Sequence, residues 1–176
     1  MRERTAARES RRDEEFASFV EGAAGRLLHV AVLLTAEPAR SAPRARRLLL
    51  AALSHTFADW DRLRGDDPYE HTRQELSARF ARTAWRHHRP QPLSRWWRPR
   101  GAGSPAAGGG GVLERLPPQE RLVLVLRLYE GIADEQVAAA VGLPVDRIRA
   151  LCAHATATLR STPPQTSHRL PEVATP

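Results

Sequence analysis

Lysine is absent from this 176-residue chain, and all 27 of its basic residues are arginine. That bias points to GC-rich coding as much as to selected chemistry. Cysteine is nearly absent as well. Cys152 is the only one, which excludes a disulfide framework and a cysteine-ligated zinc site. It lies on the inner face of a predicted helix and reads as a small core residue. Long apolar runs are scarce near the N-terminus. Leu27–Leu34 is interrupted by His29 and is too short to span a membrane, and the opening MRERTAARESRRDEE has no apolar signal core. The expectation is a cytoplasmic protein with no membrane partner. No stretch reads as a strand, and the clustered glycines lie in a linker rather than in a strand–helix phosphate loop. No nucleophile, base and acid stand at a spacing that supports catalysis. The chain therefore predicts no enzyme and no cofactor.

What is present is helical periodicity with clear punctuation. In 112–160, Pro117-Pro118 suits a helix start. Leu122 to Leu126, Leu128 and Tyr129 follow as a helix apolar nearly all round, expected to be buried. Gly131 is its left-handed cap. A short helix covers about 134–141, with Asp134 available as its cap, and Gly142 makes the next turn. The last helix places Val145, Ile148, Cys152, Ala155 and Leu159 inward, and Asp146, Arg147, Arg149, Ala153, His154 and Ala157 outward. Helix, short helix, glycine turn and long helix form a helix-turn-helix, whose last helix can enter a DNA major groove.

The first hundred residues predict a second helical module. Residues 1–12 read as a disordered arm. From about 13, Phe16, Val20, Ala23, Leu27, Val30 and Leu34 recur at 4-3-4-3-4 spacing. AEPARSAP at 36–43 breaks this helix, and Ser41 can cap the next, with Pro43 near its first turn. That second helix runs to about 62 with Leu50, Leu53, Phe57 and Trp60 on one face. Asp66-Asp67-Pro68 opens a third, reaching about 88, with Tyr69, Leu76, Phe80 and Ala84 inward. The fold class is all-α: a three-helix bundle over 13–88 and a helix-turn-helix over 112–160, joined by a basic loop and Gly/Ala-rich linker at 89–111 and followed by a disordered tail at 161–176. The eleven residues GAGSPAAGGGG at 101–111 span about 18 Å on average, a tether that lets the modules act independently.

Charge is unevenly placed. Residues 1–100 hold 20 Arg against 13 acids, giving +7, whereas 112–160 hold 6 against 6, giving zero. The stretch AWRHHRPQPLSRWWRPR at 84–100 interleaves five arginines with Trp85, Trp96 and Trp97. Tryptophan stacks on unpaired bases and arginine neutralises phosphates, so nucleic-acid chemistry is expected there. Adjacent His87 and His88 diverge on a helix and have no ligand neighbours, so no metal site is expected. On the helix-turn-helix, Arg147 and Arg149 can reach phosphates or guanine edges, with His154 adding a contact.

The stretch LPPQERLVLVLRLYEG, with Asp134-Glu135, Ala138-Ala139, Val141-Gly142, Val145, Ile148-Arg149, Ala155 and Leu159-Arg160, resembles region 4 of a sigma-70 family factor of the extracytoplasmic-function (ECF) group, in register over about 45 residues. The first module is similar to region 2 of that group, through DEEFASFV, the LLT at 33–35, Leu48, Leu53, Trp60 and Asp67-Pro68. The resemblance implies transcription initiation with core RNA polymerase and promoter DNA as partners, and an anti-sigma factor as a possible third. It implies a −10-type element read by the first module, through Arg82, Trp85, Arg86 and Arg89 with Trp96 and Trp97 nearby, and a −35-type element read by the second. It also implies polymerase docking through the start of the second helix, at Arg46, Arg47 and Leu50. There the group's Ala-Glu-Asp-Leu-(Val/Leu)-Gln-Glu is replaced by Ala45-Arg46-Arg47-Leu48-Leu49-Leu50-Ala51. Two carboxylates have become guanidiniums, and like-charge contact redirects specificity. That reversal motivates a second expectation, a sigma-like interaction protein that binds a regulator without initiating transcription.

Overall fold

A computed structural model of the chain describes residues 2–63, 65–86 and 111–161, with residues 2, 85 and 86 described by backbone alone. The elements in order are α1 (Arg2–Thr35), α2 (Pro43–Asp59), α3 (Pro68–Arg86), a 3-10 turn (Val112–Arg115), α4 (Pro118–Leu124) continued by a π-helical turn (Val125–Tyr129), α5 (Asp134–Val141) and α6 (Val145–Arg160). The fold is all-α, as its periodicity requires. Most of the linker, 87–110, and nearly all of the tail, 162–176, lie outside the described residues.

The expected arm at 1–12 is instead the first part of α1, which begins at Arg2. Arg, Glu and Ala are good helix formers, and i,i+4 pairs support them. Ser10 donates to Glu14 at 3.3 Å, and Arg11 lies 3.9 Å from Glu15. Arg12 then anchors the extension to α2. Its guanidinium lies 4.3 Å over the Phe57 ring, donates to the Phe57 carbonyl and sits 3.8 Å from Asp61. Beside it, the Phe16 ring meets Phe57 at 4.8 Å and Trp60 edge-on at 5.1 Å. As one continuous helix α1 is long and apolar enough to cross a membrane by length and composition, which the short Leu27–Leu34 run did not suggest. Its stripe of Leu27, Val30, Ala31 and Leu34 is fully buried against the other helices, which accounts for part of the apolarity; 22% of the apolar window is buried.

Pro43 opens α2, but Ser41 does not cap it. The Glu37 carboxylate does, accepting the backbone N–H of Arg44 at 3.1 Å and of Ala45 at 2.8 Å. Ala45, Leu49, Ala52, Leu53 and Thr56 face inward. Leu50, expected on the inner face, is 63% exposed, because the helix phase set by Leu49 and Leu53 turns it outward. Asp67 accepts the Tyr69 N–H at 2.9 Å and so caps α3, with Pro68 in the first turn. Helices α2 and α3 are pinned by a fully buried hydroxyl pair, Thr56 and Thr72, 2.9 Å apart.

In the second module Pro118 starts α4, and Leu122 to Leu126 are buried as expected. The end of this helix is not. Leu128 and Tyr129 face solvent, because the last turn widens to i→i+5 bonding, with the Glu130 N–H on the Val125 carbonyl at 3.1 Å. Asp134 is not a cap. Ala133 holds that position, and the Asp134 carboxylate pairs with Arg127 and Arg149 instead. Gly131 at φ 70° and Gly142 at φ 71° are both left-handed, as the turn chemistry demands. Gly142→Val should therefore lower stability by at least about 1–2 kcal/mol through backbone strain alone, since a Cβ there meets nothing within 4 Å. Chemical denaturation of the variant checks this.

The two modules share one core. Leu122, Val123, Val125, Leu126, Val137, Ala138, Ile148 and Leu151 belong to the same buried cluster as Leu27, Val30, Leu34, Leu49, Leu53 and Leu76. Helix α4 lies against α1 and α3, and α5 against α3. The independence expected from the tether is thus not what the fold displays: the modules are closed on each other.

Candidate nucleic-acid interface

Helix α6 buries Ile148 and Ala155 against α4 and α5, as expected, with Val145, Cys152 and Leu159 half-buried. Leu151, outside the expected inner set, is buried as well, and Asp146, Arg147, Arg149, Ala153, His154 and Ala157 face outward as expected. The three candidate contacts are not equivalent. Arg147 is exposed and has no ion pair or side-chain hydrogen bond among the described residues. Arg149 is exposed but held by three carboxylates: Asp134 at 3.2 Å, Glu135 at 3.4 Å and Asp146 at 3.4 Å. His154 faces Glu120 of α4, Nδ1 to Oε1 at 3.0 Å, and so joins two helices of its own module. Among the described residues Arg147, and Arg160 at the helix end, are the exposed cations of α6 without an ion pair, while Arg149 is neutralised by its carboxylates.

On α2, Arg46, Arg47 and Leu50 lie together on the solvent side, and neither arginine has a partner among the described residues. The cationic, apolar-edged surface expected for docking is thus physically available. At the other end of the first module, Arg82 is exposed and paired with Glu75 at 3.3 Å. Trp85 and Arg86 close α3, with side chains outside the described residues; Arg89, Trp96 and Trp97 lie outside them entirely.

The sequence reading missed the seam between the modules. Glu130 has a fully buried side chain, although it comes from an apolar helix end that suggested only a fold signature. Its carboxylate accepts the Tyr69 hydroxyl at 3.0 Å and lies 3.3 Å from Arg26 and 3.4 Å from Arg73. Arg26 also lies 5.0 Å over the Tyr69 ring. Arg121, likewise buried, donates to the Leu34 carbonyl at the end of α1 at 2.9 Å and to the Leu116 carbonyl at 2.9 Å. No spacing rule links positions 61 or 104 residues apart, so no sequence signal identified these partners.

Electrostatics follow from that burial. Loss of water, and then the nearby Glu130 charge, push the Tyr69 hydroxyl up to about 12. The neutral phenol is favoured in the folded state, so its stabilising contribution is complete below pH 10 and is lost between pH 10 and about 12. A spectrophotometric titration should show one tyrosine ionising near 12, absent in Tyr69→Phe, with stability declining across that window. Burial pushes the Arg121 guanidinium down, opposed by Glu114, while Glu130 and Tyr69 raise Arg26.

A search of curated proteins finds no match to this chain. The helix-turn-helix module is different: residues 112–161, 50 of the 176 and covering the 3-10 turn, α4, α5 and α6, match the family model for sigma-70, region 4, so this module is similar to a sigma-70-family, non-enzymatic DNA-binding element of transcription.

Proposed function

We propose that the chain is an ECF-type RNA polymerase sigma factor, acting in the cytoplasm. In this reading the first module takes the −10-type promoter element and the second the −35-type element. The observation that carries the reading is the sigma-70 region 4 match over a complete helix-turn-helix whose last helix is open to solvent. The exposed Arg46, Arg47 and Leu50 supply a surface for polymerase, and the Arg/Trp stretch at 84–100 supplies the chemistry for melted bases. Elements named for positions about 25 base pairs apart lie about 85 Å apart on B-DNA. A closed chain of this length has a radius of gyration of only about 16 Å. The seam must therefore open when both elements are engaged.

Purified protein mixed with core polymerase should yield promoter-dependent transcripts from a genomic template library. Absence of any such transcript refutes the reading. Within it, Arg147→Ala should weaken binding to the −35-type element by about 1–3 kcal/mol, measured by fluorescence anisotropy of the holoenzyme. Arg149→Ala should weaken it less, because Arg149 must first leave three carboxylates. Equal losses would mean that the carboxylates release Arg149 freely.

A second reading is favoured by the closed seam and the zero net charge of the helix-turn-helix module: a sigma-like protein that binds a regulator, such as an anti-sigma factor, without initiating transcription. Recovery of stoichiometric polymerase subunits with the tagged protein decides against it.

A further inference from the structure

The last turn of α2 and the first turn of α3 bring together three groups that neither the helix-turn-helix nor the seam uses. His55 and Asp59 lie one turn apart on α2, and His71 faces them from α3. His55 Nδ1 is 3.3 Å from Asp59 Oδ2, and His71 Nε2 is 3.8 Å from the same oxygen. All three donor atoms lie within 4.8 Å of one another. Metal–ligand bonds of about 2.0–2.2 Å in tetrahedral geometry put donor atoms roughly 3.4 Å apart, so slight closure of the two rings centres an ion.

Two independent features favour an ion over a simple charge cluster. His71 Nε2 is sealed from solvent and has no hydrogen-bond partner among the described residues; 3.8 Å to Asp59 is too long for one. A buried polar nitrogen without a partner is costly, and a cation accepts its lone pair directly. The cluster is also held in shape. Arg62 donates to the other carboxylate oxygen, Asp59 Oδ1, at 2.9 Å, leaving Oδ2 to face the imidazoles. The Thr56–Thr72 hydroxyl pair, one residue along from each histidine, fixes the distance between the helices. The 5.9 Å spacing and 22° tilt of the two rings keep both faces aligned.

We infer that His55, Asp59 and His71 bind one borderline divalent transition ion, Zn2+ or its Co2+ and Ni2+ analogues, clamping α2 to α3. Two imidazoles and one carboxylate suit these ions and not Mg2+ or Ca2+, which select oxygen. Three protein ligands leave the fourth position to water. The role is that of a clamp, because the ligands come from two helices and tie them together. His55 and Asp59 stand one turn apart in the sequence, but only the α2–α3 turn brings His71 to them.

The test uses the full chain, stripped with chelator and titrated with ZnCl2 by calorimetry, with Co2+ absorption reporting coordination. One ion per chain is expected, with Tm raised about 5–10 °C at a free Zn2+ hundredfold above the dissociation constant. His55→Gln and His71→Gln should each weaken binding at least tenfold and remove the tetrahedral Co2+ bands. His55 is 44% exposed, so its replacement leaves folding intact and keeps the comparison valid if His71→Gln does not fold. His87→Ala/His88→Ala should bind as the parent does. No saturable binding, or binding unchanged by His55→Gln, overturns the site.

Discussion

Arg121→Ala is expected to destabilise the protein by about 3 kcal/mol, lowering Tm by roughly 6–12 °C for a chain of this size. Arg121 donates to two carbonyls, Leu34 at the end of α1 and Leu116 before α4, each at 2.9 Å and each buried with it. A hydrogen bond from a charged donor contributes about 1.5–3 kcal/mol, and an orphaned buried acceptor carries a desolvation penalty. The full sum of two such bonds is not expected, because burial already disfavours the cation, as its lowered pKa shows. Arg121→Met separates the terms. It restores volume but not donors, so it should remain well below the parent in denaturant unfolding. Parental stability in Arg121→Met would show that the two carbonyls gain nothing from Arg121.

Glu130→Ala should open the seam. Removing one partner of a buried ion pair costs about 3–5 kcal/mol, because the other charge is left uncompensated. Here Arg26 is 55% exposed and recovers water, so a loss of about 2–4 kcal/mol is expected. Arg73, only 15% exposed, and the Tyr69 hydroxyl bear most of it. Small-angle scattering should report a larger radius of gyration than the parent. Tyr69 should ionise below its value of about 12 but above 10, because burial, the larger cause, is only partly relieved. Glu130→Gln keeps an acceptor for Tyr69 and should fall between the two. If Glu130→Ala leaves both the radius and the tyrosine titration unchanged, Glu130 does not hold the seam, which then rests on apolar packing and the Arg121–Leu34 hydrogen bond. In the sigma-factor reading the opened variant should also assemble with core polymerase faster, since a step before promoter engagement has been removed.

The elements themselves were legible. Periods of three and four residues identified most of the buried faces of α1, α3 and α6. Pro118 and Gly131 marked the ends of the α4 helix, Gly142 the end of α5 and Asp67 the start of α3, because each acts through backbone angles or hydrogen bonds a few residues away. The helix-turn-helix followed from the same local spacing; the likeness to sigma-70 region 4 was a resemblance carried by particular residues, and the family model matches that stretch. Errors arose where two local choices were nearly degenerate. Leu49 and Leu50 both fit an apolar face, and the 1–12 segment mixes strong helix formers with a charge pattern typical of disorder. Tertiary contact decided both, through Leu53 and through Arg12 on Phe57.

The sequence by itself determined an all-α chain, the position of its helix-turn-helix and the placement of its positive charge. Only the tertiary structure decided that the modules close on one core, that Arg149 is held while Arg147 is not, and that His71 meets His55 and Asp59. The physical reason is range. Helix phase and capping are settled within a turn or two of the chain, whereas Glu130 with Tyr69, or Arg121 with Leu34, depends on how whole helices pack, which no local period encodes.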